Sequence, residues 1–180
     1  MCIRDRLSAH REENIDNEEN FMSLMSAVNR IAEHTGMPVI YSCHPRSRKY
    51  IEARHFQFHP LVREMQPFGF LDYNKLQKNA YCVLSDSGTL SEESAMLGFA
   101  GVLVRTSTER PEVLDKGSVV IGGIKGDDVE QAMELAVAMR DNHEPVVMAE
   151  DYADTNVSVK VVKLIQSYTK IVNETVWLKR

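Results

Sequence analysis

Cysteine, positive charge and long apolar runs are all in short supply, and each shortage removes a class of protein. The 180 residues include only three cysteines, Cys2, Cys43 and Cys82. Their number is odd and their spacing neither paired nor metal-like, so a disulfide framework is excluded and buried or free thiols remain. No apolar run approaches the roughly 20 residues that cross a bilayer, and the first residues lack the basic-then-apolar layout of a signal peptide. The expectation is a cytoplasmic protein without a membrane partner. Lys and Arg number 21 against 26 Asp and Glu, a formal charge of −5, which offers no broad electropositive face to nucleic acid. Neither a dinucleotide glycine fingerprint nor a Walker-type lysine loop occurs, so NAD binding and ATP hydrolysis have no support. The histidines and cysteines form no recognisable metal cluster, and neither metal nor cofactor is expected.

What is present is a globular composition, 43% hydrophobic and 26% charged, fitting one domain or one half of a larger enzyme. Met1–Arg6 joins no periodic pattern and reads as a non-native leader outside the fold, with the native gene beginning further upstream; the domain is expected to run over 7–180. Leu7–His10 reads as the end of a strand. Phe21, Leu24, Met25, Val28, Ile31 and Ala32 fall at helical spacing, with Asp16 as the expected cap and Gly36 and Pro38 as the stop. Strands are expected at Val39–Ser42, Pro67–Leu71, Tyr81–Leu84, Gly101–Val104 and Ser118–Ile121. Helices are expected near Arg46–Arg54, at Leu90–Leu97, Glu112–Lys116 and Val129–Arg140, and finally from about Thr155 to Trp177. Short, uniformly apolar strands alternating with helices predict an α/β fold with a doubly wound parallel sheet, covered on both faces. Ligands of such sheets sit at the carboxyl ends of the strands.

Three of those strand ends carry residues suited to an anion. Ser85-Asp86-Ser87-Gly88-Thr89 precedes a helix, where unpaired amides and the positive dipole end attract phosphate. Ser87 and Thr89 add hydroxyl donors, and Glu93, one turn inside the helix, suits a ribose diol. The alternative is a ligand-free capping box, Thr89-x-x-Glu92, and the pattern leaves both readings open. After the strand Gly101–Val104, Arg110 either pairs with phosphate or forms a surface ion pair with Glu109 or Glu112. His10, within His10-Arg11-Glu12-Glu13-Asn14, either contacts phosphate and exchanges a proton or is an ordinary polar residue, and His44 before Pro45 has the same two readings. Tyr73, in Phe70-Leu71-Asp72-Tyr73, is a candidate to stack on a base. The convergence of these strand ends favours an anionic ligand.

Taken in order, His10-Arg11-x-Glu13-Asn14, His44-Pro45, Ser85-Asp86-Ser87-Gly88 with Glu92-Glu93, and Thr108-Glu109-Arg110-Pro111-Glu112 resemble the carboxyl-terminal half of the non-hydrolysing UDP-N-acetylglucosamine 2-epimerases. The resemblance spans Leu7 to Arg180. It implies the second Rossmann-like half of a glycosyltransferase-B-type enzyme. It further implies a diphosphate loop at Ser87, Gly88 and Thr89, a ribose partner at Glu93, a phosphate contact at Arg110 and an occupant of the uracil side at Tyr73. His10 matches the active-site histidine near the leaving diphosphate, Arg11 a UDP-side contact, and Glu13, His44 and Glu112 supporting positions in the motifs. Thr89 stands where the commonest pattern has a second glycine. This departure, with the tail from Asn156 to Trp177, looks more like the capsule and O-antigen branch that makes UDP-N-acetyl-L-fucosamine. Interconversion of UDP-GlcNAc and UDP-ManNAc, a retaining UDP-sugar glycosyltransferase half and a non-catalytic nucleotide-sugar sensor are the alternatives. The family's acid and base carboxylates lie in its amino-terminal half, so the resemblance implies a chain that binds UDP weakly, does not epimerise alone, needs that missing half as partner and forms a homodimer at full length.

Overall fold

The apolar runs become strands and the helical stripes become their cover in the computed structural model, which describes residues 6–144 and 146–179. The strands are β1 (Arg6–Ser8), β2 (Val39–Ser42), β3 (Val62–Met65), β4 (Val83–Ser85), β5 (Gly101–Leu103) and β6 (Val120–Ile121). All neighbours pair in parallel, in the order β3-β2-β1-β4-β5-β6. This is the doubly wound Rossmann-like arrangement, and the direction of winding reverses between β1 and β4. In sheets of this kind the ligand crevice lies at such a reversal, between the loops that leave the two strands.

The helices are α1 (Glu12–Ile15), α2 (Glu18–Thr35), α3 (Pro45–Ala53), α4 (Phe70–Lys78), α5 (Leu90–Leu97), α6 (Pro111–Lys116), α7 (Gly126–Asp141) and α8 (Val157–Thr175). The expected stripe on α2 is buried at all six positions and packs into a core with Leu7, Val39, Tyr41, Leu84 and Val102 of the sheet and Val129 and Met133 of α7. Gly36 ends α2 at φ +62°, a left-handed conformation that a side chain would oppose. The expected cap, Asp16, is not used. Asp16 closes α1 in a helical conformation, whereas an N-cap needs extended backbone. Asn17 supplies that backbone, and its side chain accepts from the amide of Asn20 at 3.1 Å.

The strand expected at Pro67–Leu71 is absent. Its place in the sheet belongs to Val62–Met65, and Phe70 and Leu71 instead open α4 with both side chains exposed. β3 is an edge strand with three of four residues exposed, so it needs no continuous apolar run and leaves none in the sequence. Arg6 also differs from expectation. It is the first residue of β1, in register with Ile40 and Val83, and its guanidinium is buried. Met1–Asp5 and Cys2 lie outside the described residues; Cys43 and Cys82 are both buried.

The chain divides into a large unit ending at Met148 and a short one beginning at Ala149. The second unit consists of a 3-10 turn, Glu150–Tyr152, followed by α8. Val161, Leu164, Ile165, Tyr168 and Ile171 recur along α8 at helical spacing. Among the described residues no helix is long and apolar enough to cross a membrane.

Candidate functional site

Three loops leave the carboxyl ends of the adjacent strands β1, β4 and β5, and one buried carboxylate ties them together. Asp86 follows β4 and has no exposed surface. Its Oδ2 accepts from the backbone amides of His10 and Arg11, both at 2.8 Å, and from Asn14 Nδ2 at 3.3 Å. Asn14, itself buried, donates through the same nitrogen to the Val104 carbonyl at 3.0 Å. A carboxylate out of water is stable only when its lone pairs are filled, so this network fixes where the β1 loop stands relative to the β4 loop. The Oδ1 atom lies 3.4 Å from Nδ1 of His10, whose ring is half-exposed. His10 and His44 are brought together, with ring centroids 5.8 Å apart. His44 also has a local task, because its Nδ1 accepts from the Arg46 amide at 3.2 Å and caps α3.

The Ser87–Thr89 turn stands between β4 and α5. Thr89 precedes α5 without making a side-chain cap; its hydroxyl meets that of Ser87 at 2.9 Å. The capping box is therefore not formed, and Glu92 turns to the guanidinium of Arg110. The Ser87 amide is taken by Ser85 Oγ. Among the described residues the amides of Gly88 and Thr89 donate to no protein acceptor. Arg110 lies directly over Gly88, so near that a Cβ there would stand 3.3 Å from Nε. The absence of a side chain at Gly88 thus lets a cation approach two free amides. Of the ion pairs expected for Arg110, the one with Glu109 gives way to a pair with Glu92 of the neighbouring helix α5.

Glu109 is engaged by Arg105 instead. The buried Arg105 donates Nη1 and Nη2 to the two Glu109 oxygens at 2.8 and 2.6 Å, and its Nε lies 3.4 Å from Glu13. Arg11 approaches Glu109 at 3.5 Å. This forked pairing pulls the Glu109 carboxyl down to about 2. The approaches of Arg105 to Glu13 and of Arg11 to Glu109 tie the loop that carries Arg110 to the loop that carries His10. Glu112 sits half-buried in the first turn of α6, directly after Pro111.

On the other flank, Glu93 accepts from Gln77 Nε2 at 2.6 Å, and the Tyr73 ring lies under Arg6, whose Cζ is 3.2 Å from the ring centroid. One face of Tyr73 is thus already covered by a cation. Burial pushes the Tyr73 phenol up, against the pull of Arg6. Asp86, Asn14, Arg105 and Gln77 received no role from sequence reasoning. The signal for Asp86 and Arg105 was there, since each is a charged residue placed directly after an apolar strand run where the chain is still buried.

The chain is similar to known proteins over this whole region. A family profile described as UDP-N-acetylglucosamine 2-epimerase matches residues 6–166. A UDP-N-acetylglucosamine 2-epimerase of Methanococcus maripaludis is 33% identical over 132 residues, covering 71% of this chain and 36% of that protein. The structure of a UDP-N-acetylglucosamine 2-epimerase from Rickettsia bellii superposes with a TM-score of 0.76 at 30% identity, over 98% of this chain and 47% of the other. The Methanocaldococcus jannaschii UDP-GlcNAc 2-epimerase, solved with UDP-GlcNAc and UDP, shares the fold with a TM-score of 0.79 at 24% identity, over 91% and 45%. The chain therefore spans less than half the length of these relatives. With a Rossmann-like sheet, an open amide turn under an arginine and this match across most of its length, the chain belongs to the UDP-N-acetylglucosamine 2-epimerase family.

Proposed function

We propose that this chain is the nucleotide-binding, carboxyl-terminal portion of a UDP-N-acetylhexosamine 2-epimerase. Its diphosphate would rest on the Gly88 and Thr89 amides beneath Arg110, with Ser87 and Thr89 hydroxyls beside it, His10 and Arg11 on the opposite wall, Glu93 toward the ribose and Tyr73 toward the uracil. The observation that carries this reading is the pair of unpartnered amides under a guanidinium at the winding reversal of the sheet.

In the proposed reaction the C2 proton and the C1-linked UDP leave to form a 2-acetamidoglycal, and both return with the proton on the opposite face. Charge grows on the diphosphate as the C1–O bond breaks. Donors already in place at the turn would stabilise it without reorganising, an effect of the oxyanion-hole kind. The groups that move the C2 proton are proposed to lie in the portion of the relatives that this chain does not span. Thr89 in place of a second glycine supports UDP-N-acetyl-L-fucosamine, for a surface polysaccharide, as the product. The second reading, UDP-GlcNAc and UDP-ManNAc interconversion, is favoured by the names of the matched relatives.

Calorimetry with UDP, UMP and ADP tests the site. Ser87→Ala and Arg110→Ala are each expected to weaken UDP by about tenfold, the worth of one charge-assisted hydrogen bond. Unchanged affinity in both variants would remove the diphosphate from this turn.

A further inference from the structure

Asp86 has a carboxylate oxygen that the network does not use. Oδ2 holds the amides of His10 and Arg11 and the Asn14 side chain, while Oδ1 is buried and has no hydrogen-bond partner. A buried anionic oxygen left without a donor is costly, and the polar atom aimed at it is Nδ1 of His10, 3.4 Å away. An imidazole nitrogen facing a carboxylate at that range carries its proton, because two lone pairs pointed at each other repel. The same argument fixes the neighbouring ring the other way: His44 Nδ1 accepts from the Arg46 amide, so its proton sits on Nε2. Among the described residues no ion pair of the His10 ring other than that with Asp86 is found; His44 stands 5.8 Å off between centroids.

We propose that Asp86 is a positioning residue that holds His10 in the Nδ1–H tautomer and so presents a bare Nε2 lone pair to the crevice. This deepens, and for its ligand rests on, the proposed binding of UDP. A diphosphate oxygen and a neutral Nε2 are both acceptors. They can meet only when His10 takes up a proton from solvent, and the imidazolium that results is shared between the phosphate at Nε2 and Asp86 at Nδ1. Nucleotide binding at this strand end is thereby coupled to uptake of a proton, held next to the oxygen on which charge would develop. The role parallels the carboxylate that orients the histidine of a serine hydrolase triad, where the amide variant reverses the tautomer.

The test begins without nucleotide. Histidine-labelled full chain is studied by 13C and 15N NMR, with His10→Gln used only to identify the His10 signal. The expected result is Nδ1–H at His10 and Nε2–H at His44. Asp86→Asn keeps an acceptor for the loop amides and places an NH2 against His10 Nδ1, so His10 is expected to switch to Nε2–H while His44 stays as it was. An Nε2–H tautomer at His10 in the unaltered chain overturns the proposal, and so does a folded Asp86→Asn protein with the tautomer unchanged. The first of these needs no variant, so a failure of Asp86→Asn to fold does not shield the idea. Calorimetry of UDP in buffers of different ionisation enthalpy then reads the coupling: proton uptake in the unaltered chain, and its loss in Asp86→Asn. Equal uptake in both overturns the coupling. Absence of UDP binding altogether counts against the proposed function alone, because the tautomer is measured before nucleotide is added.

Discussion

Arg6 brings a full charge into the sheet with little to meet it. Its Nη1 donates to the Tyr73 carbonyl at 3.3 Å and its Cζ rests on the Tyr73 ring, yet Nε and Nη2 are buried and unpartnered. Burial outweighs the pull of Tyr73 and Glu93 and drives the guanidinium below its ordinary value. Glu93 retains its bond to Gln77 if the cation is removed. Arg6→Leu is therefore expected to stabilise the fold by about 1–2 kcal/mol, read as a higher urea midpoint; a lower midpoint would mean that the cation–π contact outweighs desolvation. Glu109 shows the opposite balance. Its carboxyl falls from an ordinary 4.5 to about 2 through Arg105. A depressed carboxyl contributes stability above its unfolded value and loses it as pH falls through the folded one. The Arg105–Glu109 pair should therefore be fully effective above pH 4.5 and fade toward pH 2. Glu109→Gln is expected to flatten that part of the stability-against-pH curve, measured by urea unfolding at several acidic pH values at low salt.

β6 and α7 meet through a glycine. A Cβ on Gly122 would stand 2.7 Å from Val102 Cγ1 and 3.1 Å from Ala132 Cβ, closer than side chains tolerate. Gly122→Ala is expected to cost about 1–3 kcal/mol by forcing this layer apart, seen as a lower thermal midpoint. This contact left no trace in the sequence, because Gly122 follows the strand run as an ordinary turn residue would. The elements that were legible are those in which a single physical demand repeats. The α2 stripe and the apolar runs at Val39, Val83 and Gly101 follow directly from burial on one face or on both. β3 was hidden because an edge strand exposes Arg63, Glu64 and Met65. The Asp16 assignment failed because α1 ends there, and a four-residue helix has too little period to be seen. At the site, Ser87, Gly88 and Arg110 were visible as types suited to phosphate. That Arg110 would choose Glu92, and that Arg6 would cover Tyr73, depends on strand order, which no local pattern states.

For the molecule as a whole, the chain covers less than half of its relatives' length, and the proposed function divides binding from turnover accordingly. UDP is expected to bind the 180-residue chain, while inversion at sugar C2, followed by NMR, is expected only after addition of a separately produced polypeptide corresponding to the remaining length of the relatives. Inversion by the chain alone would show that its own residues supply the proton-transfer groups. The network around Asp86 has one more consequence. The His10 amide and the Asp86 carboxylate that receives it are 76 positions apart along the chain. The intervening stretch contains β2 and β3, which stack outward from the far side of β1, so the two walls of the crevice face each other only after a long loop has closed. During refolding the crevice is thus expected to mature late, and a nucleotide that recognises it is expected to slow the reopening of a finished sheet rather than guide its assembly.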